Sequence, residues 1–372
     1  MINYSNDKRV VLTLDAGGTN FVFSAIKGNV EITTSITLPS NANNLDFCLE
    51  TIIKGFKEII IQINDKPVAI SFAFPGPADY ENGIIGDLGN LPGFRGGVAL
   101  GPMLKEIFGI PVFINNDGDL FTYGEAIAGF LPFVNHKLKL ANSNKRFKNL
   151  LGVTLGTGFG AGIVRNNEVF LGDNGAGAEI WLMRNKLHPF SLAEEGVSIR
   201  AIKRVYQQNS NFNHDEDLSP KDIFDIATGI KPGDKQAALK SFEEMGEILG
   251  DALSNAITLI DGLIVIGGGL SGAASLFLPK VIEEMNGHIK SLNGKDFNRL
   301  EVKVFDLEDE TQFAEFAIGE QKIINVPKSN NTISYDPLKR IGIGLSKLGT
   351  SKAIAIGAYS YALHQIDTKV KA

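Results

Sequence analysis

Cysteine is almost missing from this chain: Cys48 stands alone among 372 residues. One thiol closes no intrachain disulfide and builds no cysteine-rich zinc cluster, so no structural zinc site is expected. Tryptophan is equally scarce, with Trp181 the sole example. Long apolar runs are lacking too. The best of them, AITLIDGLIVIGGGL at 256–270, is broken by Asp261 and ends in glycines, short of the roughly 18–20 residues of a membrane span. The N-terminal MINYSNDKRV is polar and has no signal-peptide core. Nor is there a surplus of basic charge. With 36 Lys and Arg against 42 Asp and Glu the net charge is −6, which argues against capture by nucleic acid or an anionic membrane. These absences leave a cytoplasmic globular protein as the reading.

What is present is an ordinary globular balance, 44% hydrophobic and 21% charged, in a chain long enough for two domains of ~100–200 residues each. Glycine is abundant, at 41 residues, and gathers in short clusters directly after strand-like runs. The runs VVLTLDAG and NFVFSAI are rich in β-formers and meet at glycines. Leu45, Leu49, Ile52, Ile53, Phe56, Ile59, Ile60 and Ile63 then recur with a helical period. A buried-type strand, PVAISFAF, follows. Beyond a loop-rich stretch from Pro75 to Gly97 come a short helix near Leu100–Phe108, the strand PVFIN and a helix from about Asp119 to Phe130. Residues 131–149 carry five Lys or Arg and no acid, and are expected to form a solvated surface loop. Helical patterns dominate after residue 219, notably over Lys235–Ile260. The C-terminal SKLGTSKAIAIGAYSYAL predicts a helix whose small residues let it pack closely.

From residue 149 the chain repeats its opening pattern. LLGVTLGTGFGAGIVRNNEVFLG matches VVLTLDAGGTNFVFSAIKGNVEI in the order of strand, glycine turn, strand, turn and strand. A duplicated unit implies two similar α/β lobes facing each other, with a ligand cleft between them; the alternative is two unrelated glycine-containing hairpins.

Four segments carry candidate chemistry. In DAGGTN, Gly17 and Gly18 allow the backbone to turn sharply and present N–H groups to phosphate oxygens, while Asp15 is placed to hold Mg²⁺ through water and Thr19 to donate to a phosphate. The same physics applies to Gly156, Thr157, Gly158 and Gly160 in GTGFGAG. Neither turn is a P-loop, which needs Gly-Lys-Ser/Thr, and neither opens a helix as a dinucleotide fold requires. In INND (residues 114–117), Asp117 is either a helix N-cap or the base that takes a proton from an attacking hydroxyl. Gly267, Gly268 and Gly269, after a buried strand, suit close approach to a flat ligand such as adenine, or close helix–strand packing.

In this order the motifs resemble the ROK family (repressors, open reading frames and sugar kinases) of the actin-like superfamily. The resemblance runs from Leu12 to about Leu363 through DAGGTN, FPGPAD (74–79), NLPGFRG (90–96), PVFINNDGDLFTYGEA (111–126), VTLGTGFGAGIV (153–164), VIGGGLS (265–271) and LGTSKAIAIGAY (348–359). It implies an α/β fold of two actin-like, ribonuclease H-like lobes: a small lobe of 1–118 plus 352–372 and a large one of 119–351. It further implies a kinase that moves the γ-phosphoryl group of ATP, with Mg²⁺, to a glucose-type hexose, at the 6-hydroxyl by family default. The two glycine turns would take the phosphates and Gly267–Gly269 the adenosine. Asp117 matches the general base. Asn90, Asn116 and the turn at Gly76 would hold the sugar. Glu179 matches the glutamate of a Glu-x-Gly-His motif and Glu194 the one ending the zinc motif, and both would bind the sugar as well. A homodimer is implied as well.

The sequence also departs from the family pattern. Trp181-Leu182 stands where Gly-His is expected, and the cysteine-rich zinc motif is absent. His188 is a candidate replacement contact, although a His before Pro is commonly a loop residue. Trp181 is expected to pack in the core or against a sugar face. N-acetylhexosamines, fructose, mannose and allose therefore stay open as substrates. A sugar-sensing protein without catalysis is the non-enzyme alternative. A repressor would need a helix-turn-helix ahead of the first strand, which starts by Val10.

Overall fold

A computed structural model describes residues 4–211 and 217–369. Two six-stranded sheets organise the chain. The first contains β1 (Val10–Ala16), β2 (Asn20–Lys27), β3 (Val30–Glu31), β4 (Ile36–Pro39), β5 (Pro67–Ala73) and β8 (Val112–Asn115), ordered β3-β2-β1-β5-β8 with β4 paired to β2. A small ribbon, β6 (Ala78–Asp79) with β7 (Ile84–Ile85), lies in the stretch between β5 and β8. The second sheet contains β9 (Asn149–Leu155), β10 (Phe159–Arg165), β11 (Glu168–Val169), β12 (Leu263–Gly267), β15 (Lys303–Asp306) and β18 (Arg340–Leu345), ordered β11-β10-β9-β12-β18-β15. Two further ribbons complete the strands: β13 (His288–Lys290) with β14 (Asp296–Asn298), and β16 (Lys322–Asn325) with β17 (Thr332–Tyr335). Strand for strand, β3-β2-β1-β5-β8 and β11-β10-β9-β12-β18 follow one topology. The repeat seen in the sequence is a repeat of sheet architecture.

Cα packing divides the chain into two compact units. One comprises the residues up to Pro132, Gly162–Ala178 and those from Lys347 onward; the other comprises Phe133–Ala161 and Glu179–Ser346. In the first unit, helix α1 (Leu45–Gln62) starts at an Asn44 cap whose side chain accepts from the Phe47 N–H, and α2 (Leu100–Phe108) stops at Gly109 in the left-handed region. The apolar residues of α1 meet the sheet in an aromatic core: Phe23 and Phe56 lie 5.2 Å apart, Phe56 and Phe72 6.0 Å. Helix α3 (Asp117–Ile127) crosses α10 (Thr350–Lys369) at bare backbone. A Cβ on Gly357 would sit 1.9 Å from the Leu120 carbonyl oxygen, and one on Gly124 would sit 2.0 Å from that of Ala353. The small residues of the C-terminal segment are there for this crossing.

In the second unit, α7 (Lys235–Ile260) is the long helix predicted from its period. It packs against α5 (Ile199–Asn209), α6 (Pro220–Thr228) and α8 (Ala274–Met285). The acidic run 306–310 leads into α9 (Glu310–Ile318), capped by Asp309.

One expectation fails here. Residues 131–149 are not a loop throughout, because α4 (Phe130–Leu140) occupies their first half. Leu131, Val134, Asn135 and Leu138 are buried at i, i+3, i+4 and i+7, while Lys137 and Lys139 face solvent. The basic charge masked an amphipathic helix. Pro132 is tolerated because it falls in the first turn, where no intrahelical donor is lost.

Candidate active site

Three parallel strands of the first unit deliver their C-terminal ends side by side. Asp15 of β1 pairs in register with Ala73 of β5, and Ala73 with Asn115 of β8. Adjacent strands lie about 4.8 Å apart, so the loops that follow these three residues leave one sheet edge as neighbours. In open α/β sheets that edge is where ligands bind. The loops are DAGGTN, FPGPAD and INND.

The first turn is tight. Gly17 donates its N–H to the Asn20 carbonyl at 3.0 Å, and a Cβ on Gly17 would lie 2.8 Å from that oxygen. Its carbonyls are held by Ser40, whose hydroxyl donates to Gly18 O at 2.6 Å and whose N–H donates to Thr19 O at 2.9 Å. Among the described residues the backbone N–H groups of Gly18 and Thr19 have no acceptor. Two successive unpaired donors in a glycine turn form an anion nest. Beside them the Asp15 carboxylate reaches solvent, yet surrounding protein strips part of its hydration, and this burial pushes its pKa above the ordinary carboxylate range. A cation beside it would favour the ionised form.

Asn90 lies against the same turn: a Cβ on Gly18 would be 3.5 Å from the Asn90 carbonyl oxygen. Its loop is pinned by Leu91 and Phe94, both fully buried, and by Arg95 donating to the carbonyls of Leu88 and Phe94 at 2.7 and 2.6 Å. Phe94 in turn packs at a tilt against Phe74, with ring centroids 5.3 Å apart, and Phe74 likewise against Phe21 at 6.5 Å. Phe74 immediately precedes the Pro75-Gly76 turn, and Phe21 follows the glycine turn. One chain of rings therefore ties three site loops to the core. Tyr80 adds a hydroxyl donated to Phe74 O at 3.0 Å, close over Gly76.

At the end of β8 the segment INND leads directly into α3. Asn116, in extended conformation, is the cap of α3, and its Oδ1 accepts from Gly118 N–H at 2.7 Å. Asp117 is the first helical residue. Its Oδ1 accepts from the same N–H at 2.8 Å and its side chain is exposed to solvent. The Asn116 side-chain amide N has no acceptor among the described residues and stays available as a donor.

In the second unit, GTGFGAG turns from β9 to β10. Gly156 N–H donates to Gly158 O at 3.0 Å, while the N–H groups of Thr157 and Gly158 have no acceptor among the described residues. The pair of open donors repeats that of the first turn. Gly268, at φ 86°, lies against the end of β9, where a Cβ would be 2.3 Å from Leu155 O. Gly267 pairs with Thr154, and Gly269 opens a 3-10 turn into α8. The adenosine candidate and the second turn thus share one strand end.

Glu179 is exposed, and the Trp181 indole N–H donates to its carboxylate. Trp181 is half-buried, so the expectation of a core position is not met; its side chain dresses the Glu179 carboxylate instead. His188 is exposed in a turn anchored by Asn185, with no side-chain role in the geometry described. Glu194 touches the second turn directly, accepting from Phe159 N–H at 3.0 Å and from Arg200 at 2.8 Å. Sequence reasoning missed Ser40 and Arg200. No local pattern marks Ser40, and the only signal for Arg200 was a cation six residues after a paired acid.

Comparison with known proteins places these features in context. The model of the ROK family matches residues 11–310. The crystal structure of a glucokinase from Parabacteroides distasonis is 56% identical with a TM-score of 0.90, and the likeness covers 98% of this chain and 99% of that one. A glucokinase of Thermotoga maritima is 25% identical over 302 residues, 76% of this chain and 89% of the relative. An N-acetyl-D-glucosamine kinase of Photobacterium profundum is 27% identical over 289 residues, 72% and 87% of the two chains.

Proposed function

This chain belongs to the ROK family, and from that premise we propose that Asp117 is the general base of an ATP-dependent hexose kinase. The activity itself follows from the glucokinase relatives. The observation that supports the base is the shared strand edge: a carboxylate open to solvent at a helix start, in the same row of loops as an anion nest and a carboxamide loop. Phosphoryl transfer asks a protein chiefly for positioning and for neutralisation of charge.

The roles divide by chemistry. Asn90, the Asn116 amide, the Gly76 turn and Glu179 hold sugar hydroxyls, since carboxamides and carboxylates meet vicinal hydroxyls with paired donors and acceptors. The open N–H groups of Gly18 and Thr19 and of Thr157 and Gly158 receive phosphate oxygens, with Gly17, Gly156 and Gly160 giving the turns their shape. Gly267–Gly269 leave room for adenosine. Asp117 takes the hydroxyl proton as the oxygen–phosphorus bond forms and the bond to ADP breaks. Asp15 fits Mg²⁺ through water, which would offset the charge of the phosphates. Glu194, the glutamate that matches the end of the family's zinc motif, joins the residues proposed to hold the sugar. Among the described residues no helix is long and apolar enough to cross a membrane; a cytoplasmic homodimer belongs to the same proposal.

The test is ADP release from ATP and Mg²⁺ over a panel of glucose, mannose, fructose, allose and N-acetylated hexosamines. Glucose is expected to give the highest kcat/KM. A better rate with N-acetylglucosamine would move the assignment toward the second group of relatives, and no release with any sugar would leave the sensor reading.

Asp15 gives a second test with two signs. Its raised pKa means that ionisation is less favourable in the folded protein than in the unfolded chain. The resulting penalty is absent below the unfolded pKa, grows as pH rises through the folded one, and is constant above. Asp15→Asn is therefore expected to match the wild type in Tm near pH 3 and to exceed it at pH 7–8, while kcat/KM falls by about two orders of magnitude. A Tm that drops at neutral pH would show that the carboxylate has a structural partner.

A further inference from the structure

We propose that Asn185 is a positioning residue for the sugar site: its buried amide locks the hairpin that joins Glu179 to Glu194 and so fixes the spacing of the two carboxylates. The inference rests on the kinase reading and deepens it, because both glutamates stand among the proposed sugar ligands.

The joining segment is a tight antiparallel hairpin. Ala193 donates its N–H to Met183 O at 2.7 Å and Asn185 donates its own to Ser191 O at 3.0 Å, with Arg184 bridged to Leu192 between them. The tip closes where Ser191 N–H donates to His188 O at 2.8 Å. Each arm ends in a 3-10 turn, Ile180–Leu182 on one side and Ala193–Glu195 on the other. Glu179 precedes the first turn and Glu194 lies inside the second, so one hairpin sets where both side chains start.

Asn185 is fully buried in this hairpin, and both ends of its amide are engaged. Oδ1 accepts from the N–H groups of Leu187 and His188, each at 3.0 Å, and shapes the tip. Nδ2 donates to Leu192 O at 3.3 Å, on the opposite arm. These partners also fix which end of the amide is oxygen, since two N–H groups need an acceptor and a carbonyl needs a donor. The packing is close. A Cβ on Gly196 would lie 3.0 Å from Nδ2 and 2.2 Å from Ile248 Cδ1 of α7. Lys186, the next residue, ties the tip to α7 and α8 through Glu247 and Glu284, each at 2.8 Å.

The family pattern puts a structural zinc motif at this place, but the donor set does not fit one. Between Glu179 and Glu194 the chain has no cysteine and no acid, and its only histidine, His188, is exposed. Among the described residues no three His, Cys, Asp or Glu side chains gather as metal ligands, whereas structural zinc takes four. A neutral amide with three hydrogen bonds to the backbone does the joining instead.

The two arms are not held equally. Glu194 has anchors of its own in Phe159 N–H at 3.0 Å and Arg200 at 2.8 Å. Glu179 is met by the Trp181 indole, which belongs to the same arm and moves with it. Loss of the amide therefore falls on Glu179 and on the sugar, while the second glycine turn keeps its contact with Glu194.

The experiment measures the KM for glucose, together with MgADP binding by calorimetry in the absence of sugar. Asn185→Ala leaves the Leu187 and His188 N–H groups without their acceptor. It is expected to raise the glucose KM about tenfold, with MgADP affinity changed less than about threefold. Asn185→Asp keeps that acceptor and loses only the donor to Leu192, so it is expected to recover part of the loss, leaving a rise of about threefold. Treating the wild type with 1,10-phenanthroline and then removing the chelator should leave the glucose KM unaltered. A lowered Tm with unchanged glucose KM in Asn185→Ala would make the amide a scaffold only and overturn the proposal. So would equal losses for glucose and MgADP, or bound zinc whose removal raises the glucose KM. Should Asn185→Ala not fold, Asn185→Asp decides alone, since an unchanged glucose KM there also overturns it. Failure of the kinase reading is distinct: the wild type would then release no ADP with any sugar, before a variant is compared.

Discussion

Replacing Asp117 with asparagine is expected to lower kcat by about two to four orders of magnitude while leaving the affinities for sugar and MgATP near their original values. The substitution is well suited to the question because it separates two duties of the same side chain. Asparagine keeps an Oδ1 that can accept from Gly118 N–H, as the aspartate does at 2.8 Å. The true cap, Asn116, is untouched and holds that N–H at 2.7 Å. Helix α3 should therefore start where it did. What disappears is the basic oxygen proposed to accept the hydroxyl proton. Coupled measurement of ADP release gives kcat, and calorimetry gives the two affinities. Turnover within about threefold of wild type would remove Asp117 from the chemistry and leave it a helix-start residue.

Phe74→Ala is expected to cost about 3–5 kcal/mol of stability, read as a lowered urea midpoint. Its ring is buried to within 1% and contacts Phe21, Phe72 and Phe94 at 6.5, 6.1 and 5.3 Å. The functional consequence is more telling than the stability loss. Phe21, Phe74 and Phe94 each belong to a different site segment, so the cavity would loosen the phosphate turn, the Gly76 turn and the Asn90 loop together. Conditions that keep the variant folded should show KM rising for sugar and ATP alike. Phe74→Leu, which refills much of the cavity, should recover most of both effects. A variant that loses stability but keeps both KM values would mean that the loops are held by their own hydrogen bonds.

Much of the architecture was legible because it is written in local chemistry. Helix α7 follows from an apolar period, and both hairpin turns follow from glycines placed between β-rich runs. The repeat was visible as a matching order of strands and turns, and the sheets bear it out as matching strand order. The misreading of residues 131–149 has a plain cause. Five basic residues in nineteen drew attention to charge, whereas the decisive feature was the spacing of Leu131, Val134 and Leu138, which places them on one face of a helix.

The candidate site divides along the same line. Sequence alone located the two glycine turns, the strand end at Asp117 and the glycine run at 267–269, because a turn needs glycine whatever surrounds it and a strand end is marked by its own residues. It left open whether Asp117 caps the helix that follows; the backbone entering α3 gave the cap to Asn116. Only the tertiary structure supplied Ser40 beneath the first turn and Glu194 with Arg200 behind the second, since these partners stand tens of residues from the turns they hold. Contacts of that kind depend on how distant segments pack, a long-range property that spacing along the chain does not carry.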